Sequence, residues 1–418
     1  MRWALVVGSL GLTGCLATPP SGLAGDLDGG AADDEDGDPT GSGTLVLTGI
    51  AARDPLTLDM RDELVLVARR NEDPVALLLF PGPEDLEGVT AMEVPLPFEP
   101  VDLTISRWGP VTGLAIALAP DGRLLGIDKV GASFDLSLTE DGEPTALAVQ
   151  QLAELNLNGR RLTLADGGAL YVTDPLEGGG QPGEEAIEIH PIGEADGPIL
   201  VESSFAGGAT GAIGVVEGDL EIDVYPATAP EEPEIGPDRV VGDVVPAGLQ
   251  RSSWQMSLAG AMVLVGIDPA GPRLWFHSTS MGDVENSSGT ALDGEYDRLH
   301  DLLVTRLDAA GAELAVLADE GGQLEVVVYQ DPGDTPETLP PALVFPLSGL
   351  TGPAWMQAMD AVFDEGDPGQ NEIVVYDEAG HLACIDLAGD QLVSCGSLDL
   401  VELLLKASGA STSGRPGW

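Results

Sequence analysis

Four histidines, three cysteines and seventy carboxylates are the side chains of this 418-residue chain with the most chemistry to offer. His190, His277, His300 and His381 stand far apart in sequence, with no His-x-x-x-His pair, no nucleophile elbow and no glycine loop ending in Lys to cradle a phosphate. His277 and His381 fall in apolar runs, where a hydrogen-bonded structural histidine is the ordinary outcome. No catalytic residue can be named on this pattern. Carboxylates gathered by folding would suit a paired acid–base hydrolysis or a lyase step with a divalent ion, but no spacing singles out a pair. Aromatic residues are scarce, which argues against a carbohydrate groove. Trp108, Trp254, Trp275 and Trp355 fit packing between repeated units as well as binding.

Cys384 and Cys395 flank Gly389-Asp390, a hairpin-turn dipeptide. Residue pairs across that turn sum to a constant, which sets the two cysteines opposite one another. A cross-strand disulfide is expected, contributing about 2–3 kcal/mol through loop closure. With a two-residue turn the pair occupies a hydrogen-bonded position, and with a four-residue turn the non-bonded position where side chains approach more closely. Two thiols without a nearby histidine pair do not make a zinc site.

The formal net charge is −53, from 70 acidic and 17 basic residues, and the lysines are Lys129 and Lys406 alone. A phosphate backbone would be repelled across the whole surface, which excludes a nucleic-acid partner. Anionic headgroups would be repelled too, so any hold on a membrane must come from elsewhere.

That hold is suggested at the start of the chain. Arg2 precedes an apolar segment from Ala4 to Leu12, and Leu12-Thr13-Gly14-Cys15 follows. The segment is short of the roughly 20 apolar residues a spanning helix needs. These residues resemble the lipobox of bacterial lipoprotein signal peptides, which implies lipidation of Cys15, removal of the preceding residues, and anchoring through two or more acyl chains. Leu16, where such proteins carry Asp if retained at the inner membrane, implies sorting to the outer membrane of the cell envelope. Residues 16–43 are rich in Pro, Gly and acid, with Asp33, Asp34, Glu35, Asp36 and Asp38 nearly contiguous, and read as an extended acidic tether. Residues 405–418 read as a disordered tail.

Between tether and tail, residues 44–404 lack helical periodicity and show short apolar runs separated by turn dipeptides. The run before each turn begins near Leu64, Leu114, Leu162, Ile213, Met262, Leu314 and Ile373, at intervals of 48–52 residues and finally 59. Turns follow six of the seven, at Asp121-Gly122, Asp166-Gly167, Gly218-Asp219, Ala270-Gly271, Gly321-Gly322 and Ala379-Gly380. A further strand follows each turn, and there is room for one before and one after the pair. Four strands in about 50 residues, repeated, predicts an all-β fold, a single β-propeller of seven four-stranded blades. A sandwich has no reason to repeat so regularly, and a β-helix has shorter coils. Six or eight blades stay open because the first and last units have ambiguous limits.

Two stretches, Leu302 to Tyr329 and Ala358 to Leu387, resemble FG-GAP or VCBS-type repeats, in which an acidic loop ahead of a strand holds calcium. In the first, Asp308, Gly311 and Glu313 fall on the pattern, while Arg306 and Ala310 stand where carboxylates belong. In the second the resemblance makes Asp364, Asp367 and Glu372 the candidate calcium ligands, with Gly366 and Pro368 at ligand positions. Neither loop offers three aligned carboxylates for an ion that takes six to eight oxygens.

The expectation is a monomeric cell-envelope lipoprotein, anchored to the membrane by lipid, whose propeller binds or scaffolds an envelope protein or polymer without catalysis. A metal-dependent hydrolase or lyase and an outer-membrane assembly accessory are the alternatives. Leu176 to Pro198, Pro226 to Gln250, Met281 to Arg298 and Asp331 to Pro341 read as insertions that supply the partner surface.

Overall fold

The computed structural model describes residues 44–54, 63–80, 86–108, 112–138, 144, 146–151, 160–166, 168–173, 186–195, 199–202, 212–217, 221–225, 239–241, 250–256, 262–267, 273–279, 285–291, 296–305, 307, 313–330, 342–359 and 372–407. Among them the chain forms seven four-stranded antiparallel sheets, each a contiguous piece of sequence. The first contains β1 (Leu45–Asp54), β2 (Glu63–Arg70), β3 (Asp73–Phe80) and β4 (Thr90–Pro95). The second contains β5 (Asp102–Trp108), β6 (Thr112–Leu118), β7 (Leu124–Asp128) and β8 (Ser133–Leu136). The third contains β9 (Ala146–Gln151), β10 (Arg160–Asp166), β11 (Gly168–Thr173) and β12 (Ile189–Ala195). The fourth contains β13 (Ile199–Glu202), β14 (Ala212–Glu217), β15 (Glu221–Tyr225) and β16 (Arg239–Val241). The fifth contains β17 (Gln250–Met256), β18 (Met262–Ile267), β19 (Arg273–Thr279) and β20 (Glu285–Ala291). The sixth contains β21 (Arg298–Thr305), β22 (Glu313–Glu320), β23 (Gln323–Gln330) and β24 (Leu343–Pro346). The seventh contains β25 (Ala354–Met359), β26 (Glu372–Asp377), β27 (His381–Ala388) and β28 (Gln391–Asp399), after which helix α1 (Leu400–Ala407) closes the described chain.

Why the second strands are continuous apolar runs, without the alternation of a one-sided sheet, is visible in β2. Leu64, Leu66 and Ala68 join one core with Val374, Tyr376 and Leu382 of the seventh sheet. Val65 and Val67 join another with Leu103, Ile105, Ala115 and Ile127 of the second sheet. All five β2 residues are essentially inaccessible. The same division recurs in β22, whose Leu314, Val316 and Ala318 pack toward the fifth sheet and whose Ala315 and Leu317 pack toward the seventh. The first, second, sixth and seventh sheets thus bury both faces against their neighbours. The first strands also meet in sequence, β1 with β5, β5 with β9, β9 with β13, β13 with β17, β17 with β21 and β21 with β25, and β25 lies beside β1 again.

The tight turns follow local chemistry. Gly122, Gly321, Gly322 and Gly380 adopt positive φ at the second-to-third strand turns, where a side chain would be strained. In the first sheet this role falls to Asn71 and Glu72, at φ of 51° and 75°. No glycine marks that turn, which is why the sequence showed none there.

Helix α1 departs from the expectation of a wholly β chain ending in a tail after residue 404. Asp399 accepts a hydrogen bond from the Glu402 amide at 3.1 Å, an N-cap, and Lys406 pairs with Glu402 one turn on. Leu400 is fully buried, so the helix is held by the core and extends to Ala407. No helix among the described residues is long and apolar enough to cross a membrane.

Candidate functional site

The predicted cysteine pair is bonded, with Cα atoms 5.0 Å apart, but the two residues are not directly opposite. The Gly389-Asp390 turn has two residues, and Ala388 with Gln391 through Ile385 with Ser394 keep the constant sum. The register then shifts, so that Cys384 pairs with Gly396 and Cys395 is the extra residue of a bulge. Gly396 takes a φ of 141° there and lies against Leu86, beside the 3-10 turn Leu86–Gly88 of the first sheet.

Of the candidate calcium ligands, Asp364 and Asp367 lie outside the described residues, and Glu372 opens β26 opposite Met359. No group of three His, Cys, Asp or Glu side chains among the described residues is arranged to hold a metal ion. In the sixth sheet Glu313 is buried and its Oε2 accepts from the Leu307 amide at 2.6 Å, so this carboxylate fastens the preceding loop to the strand. Cys15 also lies outside the described residues.

Two histidines that look isolated in sequence stand beside aspartates. His381 Nδ1 is 3.0 Å from Oδ2 of Asp377, which is fully buried and also accepts from the amides of Thr351 and His381. This geometry orients an imidazole, and among the described residues it fixes the turn between β26 and β27 and the linker entering the seventh sheet. His300, the bulged residue of β21, is half-buried, and its inaccessible Nε2 lies 3.9 Å from Asp319 Oδ2 without a hydrogen bond. Burial, and secondarily the Arg298 charge, hold its imidazole below the usual histidine range against the weaker pull of Asp319. In the same sheet the Glu325 carboxyl is pushed up by burial and by Glu320.

Another buried carboxylate works between sheets. Asp301, on β21, accepts from the Leu302 amide at 2.9 Å and from the Met356 amide of β25 at 2.9 Å. Asp102 occupies the corresponding place on β5 and accepts from the Leu103 amide. Sequence reading missed both because their partners are backbone groups, one of them 55 residues away. Trp355 of β25 packs across the junction of the last and first sheets, its indole lying on the backbone of Gly49 and its ring centroid 5.6 Å from that of Tyr376. Packing between units, one of the two roles expected for the tryptophans, is the one found for Trp355.

The stretches read as insertions are partly strands. Leu176 to Pro198 contains β12, Pro226 to Gln250 contains β16 and Met281 to Arg298 contains β20. The parts of these three that precede their strands, and Asp331 to Pro341 itself, link the third strand to the fourth in four consecutive sheets. Within each sheet that link falls at the end where the first strand finishes, opposite the tight turns.

No protein-family model matches the sequence, and no curated protein does. Among solved structures, BBS1N in complex with ARL6DN is similar, with 14% identity over 82% of this chain and 93% of that one and a TM-score of 0.53. The Aleuria aurantia lectin in complex with alpha-methyl-L-fucoside also matches, with 10% identity over 85% of this chain and 97% of that one and a TM-score of 0.40. BBS1N is a β-propeller, and at 14% identity its likeness to this chain concerns the fold alone.

Proposed function

We propose that the seven sheets are the blades of one seven-bladed β-propeller, carried on a lipid anchor at Cys15 in the cell envelope, and that it serves as a non-catalytic binding or scaffolding module. The observation that carries the reading is the run of first strands that returns from β25 to β1, with the first, second, sixth and seventh sheets covered on both faces by their neighbours. Radial stacking is how four-stranded sheets cover two apolar faces without a helix layer. The match to BBS1N, a protein captured in complex with another protein, supports a binding role. The polar chemistry among the described residues is spent on holding turns and neighbouring sheets together: Asp301, Asp377 and Glu313 all take backbone amides. The partner meets the end where the third-to-fourth strand links open, and the acidic residues 16–43 hold the folded part off the lipid surface.

The test is proximity crosslinking of the full chain in an exporting bacterial host, followed by affinity purification at several salt concentrations. Recovery of one envelope protein or polymer throughout is the expected result. Recovery of none at any salt concentration overturns the binding reading, and stoichiometric metal whose removal abolishes turnover on ester, glycoside or phosphate substrates replaces it with the hydrolase.

A further inference from the structure

The junction between the seventh and first sheets brings together opposite ends of the described chain, whereas sheets consecutive in sequence are joined by the backbone. It is held at three depths. At the first strands, Trp355 lies on Gly49, and the Leu47 amide donates to the Glu378 carbonyl at 2.8 Å. In the middle, Val374 and Tyr376 pack with Leu64, Leu66 and Leu77. At the outside, Gly396 abuts Leu86 and helix α1 lies against β4, while the Leu400 amide, donating to the Gly380 carbonyl at 2.9 Å, fastens the helix to its own seventh sheet. Every outer contact from the seventh sheet's side that involves Gly396 or α1 is carried by residues following Cys395.

Those residues end or follow β28, an outermost strand whose side chains are exposed or half-buried. Its ladder with β27 is interrupted at the bulge, and there the Cys384–Cys395 bond joins the strands covalently. Cys384 is buried and Cys395 half-buried, so a reductant meets the bond from the Cys395 side.

We propose that this disulfide is the oxidation-dependent pin of a latch, formed by β28 and α1, that closes the junction of the first and last sheets, and that a dithiol reductant opens it while the remaining sheets stay stacked. A thiolate of the dithiol attacks one sulfur and breaks the S–S bond, and its second thiol resolves the mixed disulfide. Two electrons and two protons pass to Cys384 and Cys395, and the dithiol becomes a disulfide.

Hydrogen exchange of the full chain in detergent, read by mass spectrometry before and after reduction with a dithiol, tests this. The latch requires at least tenfold faster exchange in residues 45–54, 86–95 and 391–407, no change in 313–330, and recovery on reoxidation. Faster exchange confined to 381–399 would make the bond a local staple and overturn the proposal. Acceleration across all sheets, or none at all, would overturn it equally. Leu400→Ala, with the disulfide intact, is expected to reproduce the accelerated exchange in 45–54 and 86–95, and normal exchange there would refute the part given to α1.

Discussion

Gly49 offers the sharpest test of how the first and last sheets meet. A Cβ at this position would stand 2.7 Å from Cε2 and 3.0 Å from Cδ1 of Trp355, and nearer still to Nε1. Carbon contacts settle at about 3.5–4.0 Å, so the indole or β1 must withdraw by roughly 1 Å in Gly49→Ala. The ring is backed by Tyr376, itself fully buried, and has little room to retreat. Overpacking of this kind costs about 1–3 kcal/mol. Trp355→Leu loses packing of its own but vacates the volume the new methyl needs, so the double variant is expected to be more stable than the sum of the single effects by about 1–2 kcal/mol. Urea unfolding followed by far-UV circular dichroism measures all four corners of the cycle. Effects that add to within about 0.5 kcal/mol would mean that the two residues do not press on one another, and the junction drawn here would be wrong.

Other expectations follow from the buried polar groups and from the leader. Asp301→Ala leaves the Leu302 and Met356 amides without their acceptor and is expected to cost about 2–3 kcal/mol, with Asp301→Asn intermediate, measured by the same unfolding. Because burial lowers the His300 pKa, the unfolded chain takes up the proton first as pH falls: stability is intact above about pH 6.5 and drains between there and the lower folded value. His300→Gln is expected to flatten that loss in a pH series of unfolding midpoints. The raised Glu325 carboxyl acts in the opposite sense, favouring the fold as pH drops through its folded value, and Glu325→Gln is expected to remove that gain. Cys15→Ser is expected to abolish incorporation of labelled palmitate and to shift the chain from the membrane to the soluble fraction; retention of label would refute the lipobox reading.

The inner strands β2, β22 and β26 were legible because they are buried on both faces. The run predicted at Leu64 begins at Glu63, that at Leu314 at Glu313 and that at Ile373 at Glu372, since double burial writes an unbroken apolar string into the sequence. The outer strands were not. β24 alternates half-buried and exposed positions and β28 shows scarcely any buried ones, so a fourth strand reads much like a polar loop, and β12, β16 and β20 were taken into insertions. The constant-sum rule located the disulfide but assumed a regular ladder; only Gly396, one place past Cys395, hinted at the bulge. The pairing of His300 with Asp319 and of Asp301 with the Met356 amide depends on which strands lie side by side, information carried by the fold as a whole.

Because each sheet is one uninterrupted stretch of chain, nothing in the connectivity requires the protein to begin where it does. Leu45 and Leu400 both lie next to Gly380, so the native ends of the folded part are already neighbours. A circular permutant opened between Leu96 and Val101, with a short peptide bridging the old ends, would keep every sheet whole and lose only the backbone links at that one opening. It would also shift the proposed tether from one sheet to the next, which makes the placement of the proposed anchor an adjustable property of this architecture.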